Sequence, residues 1–145
     1  VADTPTATGN NAIVSGMSAA PTVLLCVPTR MTTVDAVSTS DNAGAIGLCA
    51  SVNNAGAGTQ YGGVTATLDD AADPTDNSHE TTNSQALRIL AIAGTADVEA
   101  TLNSWDSGGV TFNYSNINAS AWKIPYLAFG VAVAALDPIR LVWRM

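Results

Sequence analysis

VEATLNSWDSGGVTFNYSNINASAWKIPYLAF, residues 98–129, is the stretch on which the fold turns. Val98, Ala100, Leu102 and Ser104 alternate with Glu99, Thr101, Asn103 and Trp105, the period of two of a strand with one buried face. Asp106-Ser107-Gly108-Gly109 follows as a turn, with two glycines able to take positive φ. Val110, Phe112 and Tyr114 then point one way, and Thr111, Asn113 and Ser115 the other. The pattern predicts a β-hairpin with a four-residue connection. After a polar loop, Asn116 to Ser120, the run Trp122 to Phe129 reads as a third strand, apolar on both faces. Such a strand is covered on both sides, by a second sheet or by a neighbouring subunit.

Composition bounds the rest. At 145 residues the chain suits one domain with a sizeable core. Hydrophobic residues make up 47% but charged residues only 12%, about half the usual charged share. Ala, Thr, Ser, Asn and Gly fill the place of the missing charges, which fits β-structure with uncharged polar faces or burial in an assembly. Net charge is −7, with five Lys and Arg in all. No basic patch can form, so nucleic acid and anionic membrane surfaces are excluded as partners. The longest apolar region, Ile124 to Leu136, is interrupted by Pro125 and Gly130 and falls short of the about 20 residues that a helical span needs. Val1 to Asn11 has neither the basic start nor the apolar run of a secretory leader.

Residues 1–11 (VADTPTATGNN) read as an extended arm, ordered only if something holds it, and residues 12–145 as one domain. Ala12 to Met17 is a short edge strand. PTVLLCVPTR, residues 21–30, is a strong strand bounded by prolines, and Thr32 to Thr39 continues it after a bend. Ala45 to Val52 is the next strand, with Gly47 a bulge or close-packing point. Asn53 to Gly63 (NNAGAGTQYGG) reads as a long surface loop, and Val64 to Leu68 as a short strand. Ser84 to Ile92 suits a buried strand, and Ile139 to Trp143 a last strand that pairs with a sheet, its own or another subunit's. Cys26 and Cys49 each sit in an apolar run, and read as two buried thiols on neighbouring strands rather than a disulfide.

Chemistry-bearing patterns are few. The glycine-rich run lacks the Gly-Lys-Ser/Thr of a phosphate loop and the third glycine of a dinucleotide fingerprint. DDAADPTDNSHE, residues 69–80, gathers Asp69, Asp70, Asp73, Asp76, Glu80 and the only histidine, His79. Its spacing departs from an EF-hand loop, so it reads as a solvated acidic loop with an exposed His79. Asn113 and Asn118 each begin a glycosylation acceptor tripeptide and read as chance matches. Neither cysteine has the spacing of a nucleophile or a zinc ligand. The chain therefore reads as a non-enzyme without catalytic residues, cofactor or metal. A sugar site needs an aromatic platform beside convergent polar groups; Tyr61 in the glycine-rich loop and Trp105 at the hairpin end are the candidates.

Eight or nine short strands punctuated by Gly, Pro, Asn and Asp, with no convincing long helix, predict an all-β fold: an antiparallel β-sandwich or jelly-roll-like domain.

Within that frame SWDSGGVTFNYS followed by AWKIPYLAFG resembles the closing hairpin and last strand of small β-domains in virion proteins of tailed bacteriophages. Asp106, Gly109, Val110, Thr111, Phe112 and Asn113 fit the hairpin pattern, and Tyr126, Leu127, Ala128 and Gly130 fit the strand. APTVLLCVPTR resembles the opening strand of the same domains, and together these cover about half the chain. The pattern is also similar to H-type lectin domains, trimer-forming sandwiches found in adhesins. The resemblance implies a capsid decoration (cement) protein on the outer surface of the virion, stabilising the head by binding neighbouring major capsid subunits. The chain shows no heptads or repeats that would form a fibre shaft. A carbohydrate-binding tail-fibre or adhesin module, using Tyr61 and Trp105, is the alternative. Low charge and a strand apolar on both faces point to a homo-oligomer, a trimer around an axis. Val1, Ala2, Asp3 and Thr4 of the arm, with Trp143 and Arg144, are the expected partner contacts.

Overall fold

Alternation of apolar and polar residues is plainest between Val98 and Tyr114, at the centre of the fold. The computed structural model describes residues 1–35, 44–54, 57–67, 77–91 and 95–130. In chain order the strands are β1 (Ala2–Asp3), β2 (Gly9–Val14), β3 (Val23–Cys26), β4 (Gly44–Asn54), β5 (Ala57–Thr67), β6 (Asn77–Thr82), β7 (Leu87–Leu90), β8 (Ala96–Asp106), β9 (Gly109–Asn116), β10 (Lys123–Ile124) and β11 (Tyr126–Phe129). All pairings are antiparallel, and no helix occurs among the described residues. A five-stranded sheet runs β11-β3-β4-β5-β6, a four-stranded sheet β2-β9-β8-β7, and β1 pairs with β10. The two larger sheets pack face to face as a sandwich.

The core lies between them. Leu24, Cys26, Cys49, Val64 and Ala66 come from the five-stranded sheet. Ile13, Val14, Leu87, Ile89, Leu90, Val98, Ala100, Val110, Phe112 and Tyr114 come from the other. Val98, Ala100, Val110 and Phe112 are fully enclosed, so the alternation read in the sequence picks the correct faces. The connection of the β8–β9 hairpin is shorter than expected. Asp106 pairs with Gly109, leaving Ser107 and Gly108 as a two-residue loop. Neither glycine there has positive φ, which among the described glycines belongs to Gly9 and Gly16. Gly109 is required for another reason: a β-carbon on it would lie 2.0 Å from the Val14 carbonyl oxygen, where β2 crosses. Asp106 locks the hairpin by accepting hydrogen bonds from Ser104 Oγ (2.8 Å) and Thr111 Oγ1 (2.6 Å).

Three further expectations change. Asn53 to Gly63 is not a loop: apart from residues 55 and 56, it forms the ends of the β4–β5 hairpin, in register from Gly44–Thr67 to Asn54–Ala57. Thr32 to Asp35 makes bends, not a strand, while 36–39 lie outside the described residues. Trp122 to Phe129 is broken at Pro125 into β10 and β11, and no second sheet of the chain covers the outer face of β11, an edge strand that exposes Leu127 and Phe129; of the two expected covers this leaves a neighbouring subunit. The expected last strand, Ile139 to Trp143, lies outside the described residues, as does the acidic run up to Asp76. Its end, Asn77 to Glu80, belongs to β6.

The arm is held by its own domain. Ala2 and Asp3 pair with Ile124 and Lys123, and Asp3 forms an ion pair with Lys123 (2.7 Å). Thr4 is buried; its hydroxyl accepts from the Trp122 N–H (2.9 Å) and donates to the Ser120 carbonyl (3.3 Å). Gly9 to Asn11 already belong to β2. Cys26 and Cys49 are free, buried and directly opposite each other in the β3–β4 ladder.

Candidate functional site

Two regions offer more than a fold requires. The first is the outer face of the five-stranded sheet. Because side chains alternate, the strands that send Leu24, Cys26, Cys49 and Val64 inwards send Val23, Leu25, Ile46, Leu48 and Val52 outwards. Register then aligns them in rows: Phe129, Val23 and Val52 across three strands, and Leu127, Leu25, Ala50 and Tyr61 across four. Ile46, Leu48, Tyr61, Leu127 and Phe129 are each more than half exposed. At strand spacings of about 4.8 Å and rises of about 3.4 Å the patch is on the order of 400 Å², a size at which apolar patches are often functional. Thr59, Thr65, His79 and Thr81 rim it. His79 is exposed there, on a strand and not in a loop.

The second region is a cleft of about 570 Å³ at one open end of the sandwich. The β4–β5 hairpin contributes Asn53, Gly58 and Gln60 from its inward face. The other wall is Leu102 to Trp105 of β8. A β-bulge builds this wall. Leu102 pairs with Phe112 but Ser104 with Thr111, so Asn103 is the extra residue and the alternation inverts after it. Trp105 therefore shares the inward side with Val110 instead of facing out with Thr101, as unbroken alternation requires. Its indole Nε1 is buried with no hydrogen-bond partner among the described residues. Gln60 ties the walls together: its Oε1 accepts from the Leu102 N–H (2.9 Å) and its Nε2 donates to the Ser84 carbonyl.

The structure separates the two aromatic candidates. Tyr61 stands on strand β5 facing outwards, part of the apolar patch, while Trp105 lines the cleft on the opposite side of the sheet. Of the expected partner contacts, Val1 and Asp3 are exposed, Ala2 is half-buried and Thr4 is buried; Trp143 and Arg144 lie outside the described residues. Asn53, Gln60, Asn103 and Ser104 escape sequence reading. The available signal is the symmetry of AIGLCASV and VTATL about the glycine-rich run, which reads as one long hairpin.

Electrostatically, the organised charges lie elsewhere. Arg88 of β7 bridges Glu99 of β8 and Glu80 of β6 (2.8 Å to Glu80), tying the edges of the two sheets. Arg30 stacks on the Trp122 ring (4.9 Å to the centroid) and pairs with Asp97 (3.1 Å). Burial pushes the Cys26 and Cys49 thiols and the Tyr114 hydroxyl above their ordinary values, which suits core packing and not nucleophilic chemistry. Among the described residues no three His, Cys, Asp or Glu side chains gather as metal ligands. No helix among the described residues is long and apolar enough to cross a membrane. Comparisons with family models, curated proteins and solved structures find no match.

Proposed function

We propose that the protein is a structural component of a tailed-bacteriophage particle, a decoration protein that associates with its own copies as a trimer and binds major capsid subunits on the outer surface of the head. The observation that supports this reading is the uncovered apolar face carrying Ile46, Leu48, Tyr61, Leu127 and Phe129. A chain with only 12% charged residues gains solubility when copies cover such a face. Binding only the assembled lattice stabilises it by mass action, and a trimer multiplies weak contacts through effective concentration. The side chains of Val1 and Asp3, the latter ion-paired with Lys123, are exposed at the start of the arm, where a neighbouring subunit can reach them. The resemblance of the β8–β11 segment to phage virion domains supplies the particle. Electron microscopy of the purified particle carrying a tagged copy tests the reading. Tag density on the outer head surface, in threefold clusters, is expected; density confined to the tail, or none on the particle, overturns it.

A further inference from the structure

We propose, resting on the reading of the outer face of the five-stranded sheet as an assembly surface, that His79 makes the assembly pH-sensitive: copies associate while its imidazole is neutral and separate when it is protonated. His79 stands on β6 in one cross-strand row with Thr65 of β5 and Ile46 of β4. The next row is Leu48, Gly63 and Thr81. Alternation puts both rows on the outer face, where Ile46, Leu48, Gly63, His79 and Thr81 are exposed. Gly63 has no side chain, and a β-carbon on it would meet nothing within 4 Å. Gly63 and the short Thr65 therefore floor a trough, with Ile46 and Leu48 on one bank and His79 and Thr81 on the other. The banks are two strand spacings apart, about 10 Å. A copy that covers Ile46 and Leu48 fills this trough and takes the His79 imidazole out of water with them.

Among the described residues no Asp, Glu, Lys or Arg stands on this face. Thr65 faces His79 from β5, Thr81 flanks it on β6, and Gly63 and Thr67 lie diagonally across. Glu80 points to the other side of β6, where it pairs with Arg88. Tyr61, the other titratable side chain of the face, is a phenol and uncharged in acid. The acidic run up to Asp76 lies outside the described residues. An imidazolium covered here loses its water without gaining a carboxylate from the face, and burying a charge unpaired is costly. Histidine is the side chain whose charge ordinarily changes between pH 5 and 8. One unit below the ordinary histidine midpoint of about 6.5, each covered imidazole weakens association by up to about tenfold, and three compound to on the order of a thousandfold in the trimer equilibrium. The rest of the chain responds in the opposite sense. As the pH falls, the net charge of −7 shrinks towards zero at an isoelectric point of about 4.1, and repulsion between copies fades. Release in acid is therefore specific to His79.

Sedimentation equilibrium over a concentration series, at about pH 7.5 and about pH 5.5, tests the switch in the parent and in His79→Gln. Far-ultraviolet circular dichroism checks the fold at each pH. The parent should be a trimer at the higher pH, and its midpoint concentration for dissociation should rise about tenfold or more at the lower. His79→Gln stays neutral and should keep its mass at both. Gly63→Val, whose β-carbon enters open space in its own chain, fills the trough and should weaken the trimer at the higher pH while keeping the parent's circular dichroism. A parent trimer equally tight at both pH values, a His79→Gln variant that separates in acid as the parent does, or a Gly63→Val trimer as tight as the parent's overturns the proposal and leaves the assembly reading in place. A parent of single chains already at the higher pH overturns both.

Discussion

Gly58 and Leu102 meet across the open end of the sandwich with no room for a single added carbon, since a β-carbon on Gly58 would fall 1.9 Å from Leu102 Cδ2. Gly58→Ala should therefore destabilise the fold by about 1–3 kcal/mol through overpacking. The same substitution in a Leu102→Ala background should cost distinctly less, because the clashing atom is gone. Urea unfolding of the four proteins of this cycle checks it; equal costs in both backgrounds would remove the steric explanation.

Phe112 is fully enclosed on β9, one of the two central strands of the four-stranded sheet. Phe112→Ala should cost about 3–5 kcal/mol. A variant with the denaturation midpoint of the parent would place the core elsewhere.

Thr4 ties the arm to the domain through a buried hydroxyl that accepts from the Trp122 N–H. Thr4→Val keeps the shape and strands that donor, at about 1–3 kcal/mol. Hydrogen exchange at the Trp122 amide should accelerate in the variant; unchanged protection would mean that the arm is not anchored here.

The two thiols and Tyr114 have a pH consequence. Each holds its proton more tightly folded than unfolded, because burial penalises the anion. The folded state therefore binds more protons than the unfolded one once the pH exceeds the ordinary thiol value of 9.0. This stability is fully present below that pH and is lost as the pH rises above it. Thermal unfolding from pH 7 to 11 should show a melting temperature that drops beyond about pH 9, with a smaller drop in a Cys26→Ala, Cys49→Ala variant compared with its own value at pH 7. A parent and variant with the same alkaline slope would show that the thiols do not contribute.

Local pattern carried much of this architecture. Period-two runs such as Val110-Phe112-Tyr114 and the proline-bounded VLLC name their buried faces, because one face meets water and the other does not. What stayed hidden depends on pairing. The bulge at Asn103 is defined by two strands at once, so Trp105 looks outward in the sequence and points inward in the fold. Two of the glycines that read as a loop at Asn53–Gly63 are strand positions where a neighbour approaches closely: Gly62 faces Cys49 Sγ, and Gly58 faces Leu102. The arm reads as free because its partner, the two-residue β10, lies some 120 positions away and is too short to signal itself.

The central claim, that the outer face of the five-stranded sheet is an assembly surface, is tested most directly by light scattering on the isolated protein. The parent should give a mass near three chains at micromolar concentration. Leu127→Asp combined with Leu48→Asp, two exposed side chains on that face, should give one chain with the circular dichroism of the parent. A parent that is already monomeric, or a double variant that keeps the parent's mass, would contradict the account.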